Sequence, residues 1–393
     1  MLVLIANPGS TSYKCKLIDT DTMDIRFQAA VERIGEPNGM RSYTAAGGER
    51  VSDTLPVADY TQAVHLTLEP LRKQIDLNAL AAVGFKTVLA RGVSGCVELT
   101  DAVLDAMREY LPLAPVHNAV YLTAISVFEK LLPSVPRIGL FETAFHAQIP
   151  LEAAVYGVPY AWIERHGVRK YGFHGASHRY VAGRVQELFA GVVRTGKIIS
   201  CHLGGSSSVC AIRNGVSADT SMGMSPQCGV LNAKRVGDLD PFALLYVMEK
   251  ENLSIERMRE ILITRSGVYG ISELSGDFRD IEAAMDGGNR KAELAFKAFA
   301  YSVKRYIGEY VAVLNGADVV VFTGGLGQNS ARMRKAIAGN MDALGIRLDD
   351  AKNRSNPKEG CISADGSPTT VAVVPTDEER IVAKAVAEKL EAG

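Results

Sequence analysis

The chain has 393 residues, of which 47% are hydrophobic and 22% are charged. This length is long for a single core and favours two domains. The formal net charge of −1 argues against a general attraction to nucleic acid or to a membrane surface. No apolar run approaches the length of a membrane span, so the composition predicts an ordinary soluble globular protein.

Six cysteines are scattered along the chain without a Cys-x-x-Cys pair or a cluster with histidine. This usage predicts reduced thiols in a cytoplasmic protein. The N-terminal run lacks the basic segment of a signal peptide, and we interpret it as a buried strand.

The chain begins with a predicted hairpin. An apolar strand, Leu2–Ala6, enters a turn of small residues, Asn7 to Ser12, and a second strand covers Tyr13–Asp19. Glycines in such a turn allow the backbone to approach a bulky anion, and N–H groups and hydroxyls can then point at phosphate oxygens. An ordinary hairpin with a small-residue turn has the same pattern.

The next elements alternate between strands and helices. The sequence predicts, in order, strands and loops over 25–57, a helix over Tyr60–Ile75, a strand over Leu80–Val88, a helix over Asp101–Tyr110 capped by Thr100, a loop LAPVHN, a helix over Ala119–Leu132, a strand over Arg137–Phe141, a turn-rich region over 150–169 and a helix over Ser177–Phe189.

A second hairpin follows at Lys197–Asn214 and repeats the design of the first. Strand Ile198–Cys201 enters a turn of glycines and serines, and strand Val209–Ile212 leaves it. Two such hairpins far apart in one chain predict a duplicated core with two phosphate-binding turns.

Helices and strands also alternate in the last third of the chain. The sequence predicts a helical block over Asp240–Ile263, a helix over 290–314, a strand over Asp318–Phe322 that runs into the glycines of GGLGQNS, a helix over Ser330–Met341, a strand over Val371–Val374 and a closing helix after PTDEE. This alternation predicts the α/β class, with a domain boundary near Glu142–Pro150.

Several strings, in order along the whole chain, match known signatures. These strings are the first turn, similar to N-x-G-S-S-S-x-K; LAPVHN, similar to A-P-L-H-N; FETAFH at 141–146, similar to F-D-T-A-F-H; RKYGFHGASH at 169–178, similar to R-R-Y-G-F-H-G-T-S-H; HLGGSSS at 202–208, similar to H-L-G-N-G-A-S; DTSMG at 219–223; GDLDP at 237–241; GDFRD at 276–280; GGLGQNS, similar to G-G-I-G-E-N-S; and PTDEE, similar to P-T-N-E-E. Together they resemble the acetate kinase family, which belongs to the superfamily of acetate and sugar kinases, heat-shock chaperone ATPases and actin.

The resemblance implies a two-domain, actin-like (ribonuclease H-like) duplicated α/β fold with a nucleotide cleft between the domains. It implies an N-terminal carboxylate-kinase domain at 1–146 plus 377–393 and a C-terminal nucleotide-binding domain at 147–376. The implied reaction is reversible phosphoryl transfer from ATP to a short-chain carboxylate, with acetate as the first choice, giving acyl phosphate and ADP. The implied cofactors are ATP/ADP and Mg²⁺ or Mn²⁺, and the implied assembly is a cytoplasmic homodimer without nucleic acid or membrane partners.

The resemblance also assigns roles by motif position. It implies catalytic roles for Glu142, His174 and Arg235; carboxylate binding by Lys86 or Arg91; nucleotide binding by Lys14, His202, Leu203, Gly204, Gly205, Ser206, Asp277, Phe278, Arg279, Gly324, Gly325, Leu326, Gly327 and Gln328; and metal binding by Asn7 and Glu378. Basic residues are expected to dominate because catalysis of phosphoryl transfer is mostly positioning and charge stabilisation. His117 and His202 fit a structural role equally well, and Glu379 is expected to be an ion-pair partner.

The chain departs from the family pattern at several of these places, and around Arg235 the family's G-T-R-S reads AKRV. The family's catalytic aspartate is Glu142, its turn asparagine is Gly205, and the glutamate of its G-G-I-G-E is Gln328. The family's G-H-R-V-V-H-G-G reads GFKTVLAR, which places Lys86 at the substrate arginine and Arg91 at a glycine. Arginine can grip a carboxylate with two parallel N–H bonds and lysine cannot, so we expect Arg91 to bind the acid and Lys86 to face solvent from the end of its strand.

Three alternatives remain open from the sequence. The chain could be a kinase of propionate, butyrate or another small acid, a kinase of a larger acid or an alcohol, or an ATP-binding switch that no longer turns over. The departures in the carboxylate motif favour the switch, whereas the retained Asn7, Lys14, His174, Arg235 and Glu378 favour an enzyme.

Overall fold

The computed structural model describes residues 1–9 and 11–392; Ser10 of the first turn and Gly393 lie outside the described residues. The chain divides into two compact units. The first unit comprises Met1–Ala147 and Asp377–Gly393, and the second comprises Gln148–Thr376. Each unit has its own sheet, and each is described by itself.

The first unit contains a sheet whose described strands run in the order β5-β4-β3-β2-β1-β6-β8-β7. The strands are β1 Leu2–Pro8, β2 Ser12–Asp19, β3 Asp24–Glu32, β4 Gly39–Ala45, β5 Val51–Leu55, β6 Ala82–Phe85, β7 Cys96–Glu98 and β8 Arg137–Leu140. Strands β1 to β5 form an antiparallel meander, whereas β1, β6 and β8 are parallel neighbours and β7 closes the edge antiparallel to β8.

The helices of the first unit are Tyr60–Arg72, Asp101–Glu109, Pro115–Leu131 and Glu378–Glu391, with short 3₁₀ turns at Leu77–Ala79 and Ala144–His146. The last helix returns from the C-terminus and buries Val382 and Val386 in the same core cluster as Val3 and Ile138. Gly84 of β6 makes this close approach possible, because a Cβ there would lie 2.9 Å from Ile5 and 3.1 Å from Val386. This packing fixes the first residues of the C-terminal helix beside the parallel strands.

The second unit contains a sheet in the order β11-β10-β9-β12-β14-β13. Its strands are β9 Lys197–His202, β10 Ser208–Arg213, β11 Val216–Thr220, β12 Val319–Thr323, β13 Gly360–Cys361 and β14 Thr370–Val373. Its helices are Leu151–Ala154, Ala161–His166, Gly175–Leu188, Pro241–Glu251, Ile255–Thr264, Gly267–Ser272, Phe278–Asp286, Arg290–Leu314, Gly324–Asn329, Ala331–Ala338 and Asp350–Arg354, with a 3₁₀ turn at Asp342–Leu344.

The two sheets share one topology. In each, three sequential antiparallel strands are followed by two parallel strands and an antiparallel edge strand, so β3-β2-β1-β6-β8-β7 corresponds to β11-β10-β9-β12-β14-β13. The predicted α/β class and the predicted duplication are therefore confirmed. The first hairpin turn of each sheet occupies the corresponding place in its unit.

The long helix Arg290–Leu314 begins and ends where the apolar spacing predicts. Asn289 caps it by accepting hydrogen bonds from the N–H groups of Lys291 and Ala292, and its buried face packs in the core of the second unit. Fully buried side chains such as Phe299 and Val303 pack in one core cluster with residues of the second sheet. This face explains why the 3.6-residue period was so clear in the sequence.

The predicted loop LAPVHN is wrong in part. The helix begins at Pro115, and proline suits a first helical position where its missing N–H has no partner to lose. The glycines of GGLGQNS themselves form a short helix, Gly324–Asn329, directly after β12. In both places small or imino residues that usually break helices stand at a helix start, where they are tolerated.

Strand β6 ends at Phe85, three residues before the predicted end at Val88. Among the described residues, no helix is long and apolar enough to cross a membrane.

Candidate active site

Three candidate residues of the first unit lie at the carboxyl ends of neighbouring parallel strands. Asn7 is near the end of β1, Lys86 directly follows β6, and Glu142 lies two residues after β8. The register pairs Ala6 of β1 with Phe85 of β6, so these strands end at the same edge of the sheet. Ligands of open α/β sheets usually bind at this edge.

Lys86 lies between two carboxylates. Its Nζ is 3.1 Å from Oε1 of Glu142 and also forms an ion pair with Oε2 of Glu378, the first residue of the C-terminal helix. The three side chains are only 19%, 6% and 17% exposed, respectively. Burial alone would lower the pKa of Lys86, but the charges of Glu142 and Glu378 outweigh it and hold the pKa well above its usual value.

The prediction that Lys86 faces solvent is therefore wrong. The alternation of a continuing strand does not apply to Lys86, because β6 ends one residue earlier and the side chain turns toward Glu142 and Glu378. With one ammonium and two carboxylates, the Lys86–Glu142–Glu378 cluster has a formal charge of −1.

Arg91 occupies a different environment. Its guanidinium forms an ion pair with Glu109 at the end of helix Asp101–Glu109, and these two side chains are 42% and 51% exposed. The geometry places Lys86, rather than Arg91, with Glu142 and Glu378. Arginine was expected here for its bidentate geometry. The sequence does not show that Glu142 and, from the C-terminal helix, Glu378 lie beside Lys86.

The first hairpin carries Asn7 and Lys14 as register partners on β1 and β2. Lys14 is exposed and Asn7 is partly buried. Lys16, on the same strand as Lys14, donates to Glu379 at 2.9 Å, which confirms the expected ion-pair role of Glu379.

The donor chemistry of this edge suits Mg²⁺. Glu142 and Glu378 share one cation, so their carboxylates converge, and Asn7, whose side chain carries an amide oxygen, lies near the end of β1. Magnesium prefers such oxygen ligands and is commonly held by one or two carboxylates together with water and substrate phosphates. Among the residues that the structure describes, no group of three or more His, Cys, Asp or Glu side chains forms a complete metal cage.

In the second unit, the glycine/serine turn joins β9 to β10 between His202 and Ser208, which are register partners. Ser207 folds the turn: its hydroxyl donates to the carbonyl of Gly204 at 3.0 Å, and its N–H donates to Oδ1 of Asn232 at 2.7 Å. Leu203 is fully buried beneath the turn. The turn is therefore a fixed structure held by its own serine and by a neighbouring loop.

His174 lies over this turn. It begins helix Gly175–Leu188 in the left-handed conformation, with φ of 58°. Its Nδ1 is 2.7 Å from Oγ of Ser208 and its Nε2 is 2.9 Å from Oγ of Ser206. The ring stacks on His202 with centroids 4.3 Å apart. Both imidazole nitrogens of His174 are thus engaged by serines of the turn.

A second histidine extends this network and was missed by the sequence reasoning. His178 is fully buried, with Nε2 at 2.8 Å from Ser208 and Nδ1 at 2.9 Å from Ser200. The spacing of four residues from His174 was a usable signal, because residues four apart share one helix face. Ser177, on the same helix, bonds Nδ1 of His202 at 2.8 Å.

Arg235 reaches the same turn from another loop. It is 8% exposed, and its Nη2 donates to Oγ of Ser206 and to Oδ1 of Asn232, the latter at 3.2 Å. Its Nη1 is buried and has no hydrogen-bond partner among the described residues. Burial lowers the pKa of Arg235 to about 10, so the group remains a cation at neutral pH.

A buried cation with an unused N–H group is costly unless an anion completes it. Within residues 1–9 and 11–392, Arg235 takes part in no ion pair of the structure. The surrounding groups are hydroxyls, an amide and imidazoles, so the arrangement suits a phosphoryl group.

The second glycine-rich segment packs beside this turn. Leu203 donates its N–H to the carbonyl of Thr323, and Leu326 donates to the carbonyl of Leu203, both at 2.9 Å. Gly324 has φ of +75°, and a Cβ there would lie 2.5 Å from the Leu203 carbonyl oxygen, so glycine is required. The predicted nucleotide segments at 202–206 and 324–328 are therefore neighbours in one unit.

Arg334 holds the far end of the short helix and was also missed. It is fully buried, and its Nη1 donates to the carbonyls of Gly327 and Gln328 at 2.9 and 2.7 Å. Its remaining N–H groups donate to Asn353 and Asn356. Arg334 lies between Met333 and Lys335 in a helix that also contains Arg332, and the sequence gave no signal that distinguished it for this role.

The segment Asp277–Arg279 begins helix Phe278–Asp286. Asp277 caps the helix by accepting from the N–H of Arg279 at 2.9 Å, and the Arg279 side chain is 91% exposed beside it. The Phe278 ring packs on Phe299 in the core with centroids 4.6 Å apart. The predicted nucleotide role of Phe278 can therefore rest only on its main chain.

Comparison with known proteins is consistent with this arrangement. A sequence model of the acetokinase family matches residues 2–384. The chain belongs to the acetokinase family. It is 42% identical over 389 residues to the acetate kinase of Desulfitobacterium hafniense strain DCB-2, and 41% identical over 390 residues to that of Natranaerobius thermophilus; in both cases 98% of each chain is covered.

Two solved structures extend the likeness to the whole fold. The acetate kinase of Porphyromonas gingivalis is 38% identical, with a TM-score of 0.85 over 100% of this chain and 99% of that one. A propionate kinase from Francisella tularensis is 29% identical, with a TM-score of 0.90 over 98% of both chains. The predicted family is confirmed, and so is the enzyme class, a phosphotransferase with a carboxyl group as acceptor that uses ATP and ADP.

Proposed function

We propose that this acetokinase-family enzyme transfers the γ-phosphoryl group of ATP reversibly to a short-chain carboxylate, with acetate as the first choice. A carboxylate oxygen forms a bond to the γ-phosphorus while the bond from that phosphorus to the bridging oxygen of ADP breaks. The products are an acyl phosphate and ADP. Because the carboxylate is already ionised at neutral pH, no side chain has to remove a proton from it.

The observation that carries this proposal is the state of Arg235. Its guanidinium is buried and cationic, and Nη1 has no hydrogen-bond partner in the part of the chain that the structure describes. The developing charge on the transferring phosphoryl oxygens would supply that partner, and a positioned cation of this kind strongly stabilises phosphoryl transfer. His174 and the serines of the turn would surround the same group.

In the first unit, we assign the acid to the neighbourhood of Lys86 and revise the earlier preference for Arg91. The support is the burial of Lys86 beside Glu142, the residue that occupies the family's catalytic aspartate position. The Lys86–Glu142–Glu378 cluster has a formal charge of −1, which repels an anionic acid until another cation offsets it. Mg²⁺ held by Glu378 with Asn7 would offset the cluster and neutralise phosphate charge.

The nucleotide is assigned to the second unit. The support is the adjacency of the turn at 202–206 to the short helix at 324–328, with Arg334 fixing its carbonyls. Asp277 and Arg279 are proposed to contact the nucleoside, and Lys14 to approach its phosphates.

A slightly longer acid is the second candidate. The likeness to a propionate kinase at a TM-score of 0.90 favours it. The chain also replaces the family's substrate arginine by Lys86 and its aspartate by Glu142, and both changes alter the size and the charge geometry around the acid.

We also propose a homodimer. The described helix Pro241–Glu251 buries none of its residues, and it exposes Phe242, Leu245 and Tyr246 by 76%, 60% and 61%. Apolar exposure of this extent on one helix is typical of a protein interface. A second copy of the chain is the proposed partner.

The test is a screen of ATP consumption with formate, acetate, propionate and butyrate, with hydroxylamine trapping of the acyl phosphate. We expect hydroxamate from acetate or propionate in amounts equal to the ADP released, and only background from the Arg235→Ala variant. ATP binding without hydroxamate from any acid would refute the enzyme and favour the switch.

A further inference from the structure

Ser206 joins the two residues assigned to the transferring phosphoryl group. Its Oγ accepts from Nη2 of Arg235 and lies 2.9 Å from Nε2 of His174. The family motif H-L-G-N-G-A-S has glycine at this place, whereas this chain has serine. The hydroxyl bridge therefore depends on a side chain that the motif does not contain.

The arginine fixes the direction of one hydrogen bond and favours the direction of the next. A guanidinium can only donate, so Ser206 accepts from Arg235 and its single hydroxyl hydrogen remains for His174 Nε2. The opposite arrangement would point an imidazole N–H at an oxygen already polarised by a buried cation. His174 then has its hydrogen on Nδ1 and donates it to Ser208.

The rest of the chain of hydrogen bonds agrees with this direction. With this tautomer of His174, Ser208 would accept from His174 Nδ1 and donate to Nε2 of His178, and Nδ1 of His178 would donate to Ser200. Each hydroxyl from Ser206 to Ser208 then donates once and accepts once. In each histidine, the hydrogen bond at one ring nitrogen thereby sets which nitrogen carries the hydrogen.

We infer that Ser206 is a positioning residue that couples Arg235 to His174, holding His174 as the neutral Nδ1–H tautomer and fixing the direction of the guanidinium. The inference rests on the proposed function for its effect on turnover. Without the hydroxyl, Nε2 of His174 would lose its hydrogen bond to Ser206, and Asn232 would be the remaining side-chain acceptor of Nη2 of Arg235 among the described contacts.

The experiment has a kinetic arm and a spectroscopic arm. Removing a hydrogen bond to a charged group costs about 1.5–3 kcal/mol, so Ser206→Ala should lower kcat by about 10- to 100-fold with little change in the KM for the acid. Ser206→Thr keeps the hydroxyl and should regain most of the activity. The side chain is only partly buried, so the extra methyl group has room.

The spectroscopic arm measures imidazole ¹⁵N shifts with labelled histidine, in the absence of substrates. The chain has seven histidines, and His174→Asn identifies the His174 signals. We expect His174 to be protonated at Nδ1 in the unsubstituted protein and in Ser206→Thr, and to shift toward Nε2–H in Ser206→Ala.

Ser207→Ala is the matched control. Ser207 lies in the same turn and bonds its backbone, but it contacts neither Arg235 nor His174 among the hydrogen bonds of the turn. If the two substitutions acted only by disturbing the turn, both would change the His174 signals. If the Ser206 hydroxyl bridges Arg235 and His174, only Ser206→Ala should change the tautomer of His174. An unchanged tautomer in Ser206→Ala, or the same change in Ser207→Ala, would overturn the inference even if no acid were phosphorylated.

Discussion

Replacing Lys86 by methionine tests the cluster that the structure shows at the carboxyl edge of the first sheet. Methionine keeps most of the volume and removes the ammonium, so Glu142 and Glu378 would face each other without their shared cation. Breaking a buried ion pair by removing one partner costs about 3–5 kcal/mol. Lys86 and Glu378 remain partly exposed, so we expect the low end, about 3 kcal/mol.

A loss of this size is large enough to measure by thermal unfolding. For a unit of this size, about 1 kcal/mol shifts Tm by roughly 2–4 °C, which gives a decrease of about 6–12 °C for Lys86→Met. Because the pKa of Lys86 is raised in the folded protein, its stabilisation is complete below the unfolded pKa of about 10.4 and is lost as the pH rises through the folded value. The deficit of the variant should therefore be constant between about pH 7 and pH 9.

Lys16→Met is the matched control, since it removes a more exposed ion pair with Glu379 in the same unit. That pair should contribute no more than about 1 kcal/mol. Mg²⁺ should also stabilise Lys86→Met more than it stabilises the unsubstituted protein, because the vacated carboxylates can hold the ion. Equal Tm losses in the two variants, with no added effect of Mg²⁺, would refute the reasoning about the cluster.

Three further predictions test the proposed function and assembly. Arg235→Ala should lower kcat by about 10³-fold or more with a modest change in the KM for ATP, since the guanidinium acts on developing charge; near-normal turnover would remove Arg235 from the mechanism. Lys86→Ala should raise the KM for the acid far more than Arg91→Ala, and the reverse order would restore Arg91 as the carboxylate ligand. Leu245→Glu should convert a dimer to monomers in light-scattering measurements, and an unchanged mass would place any interface elsewhere.

Much of the fold was accessible from the sequence because local signals agreed with the tertiary structure. The two hairpins, with apolar strands around small-residue turns, predicted the duplication that the strand order shows. Helix Arg290–Leu314 was found by its apolar period, since one face packs on the core along its whole length. The helix start at Pro115 was missed because proline is a poor helix former everywhere except at such positions.

The site shows a different limit. His174 and Arg235 were predicted as candidates from their motif positions. No local pattern shows that Ser206 contacts both, because a hairpin turn, a helix start and a distant loop must come together to form the contact. His178 and Arg334 were missed for the same reason: their partners lie 22 to 30 and 6 to 22 residues away, in other elements.

Lys86 makes the physical reason plain. Residue type and spacing favoured arginine at the acid, because a guanidinium binds a carboxylate with two parallel bonds. The charge that a basic side chain offers to a ligand also depends on the carboxylates already beside it. Glu378 is 292 residues from Lys86 in the chain, and the C-terminal helix brings it to the end of β6. A basic residue in a motif therefore predicts an anion site only after its own partners have been counted. By that count Arg235 is a stronger candidate than Lys86 for binding an anion, because its buried Nη1 has no partner among the described residues.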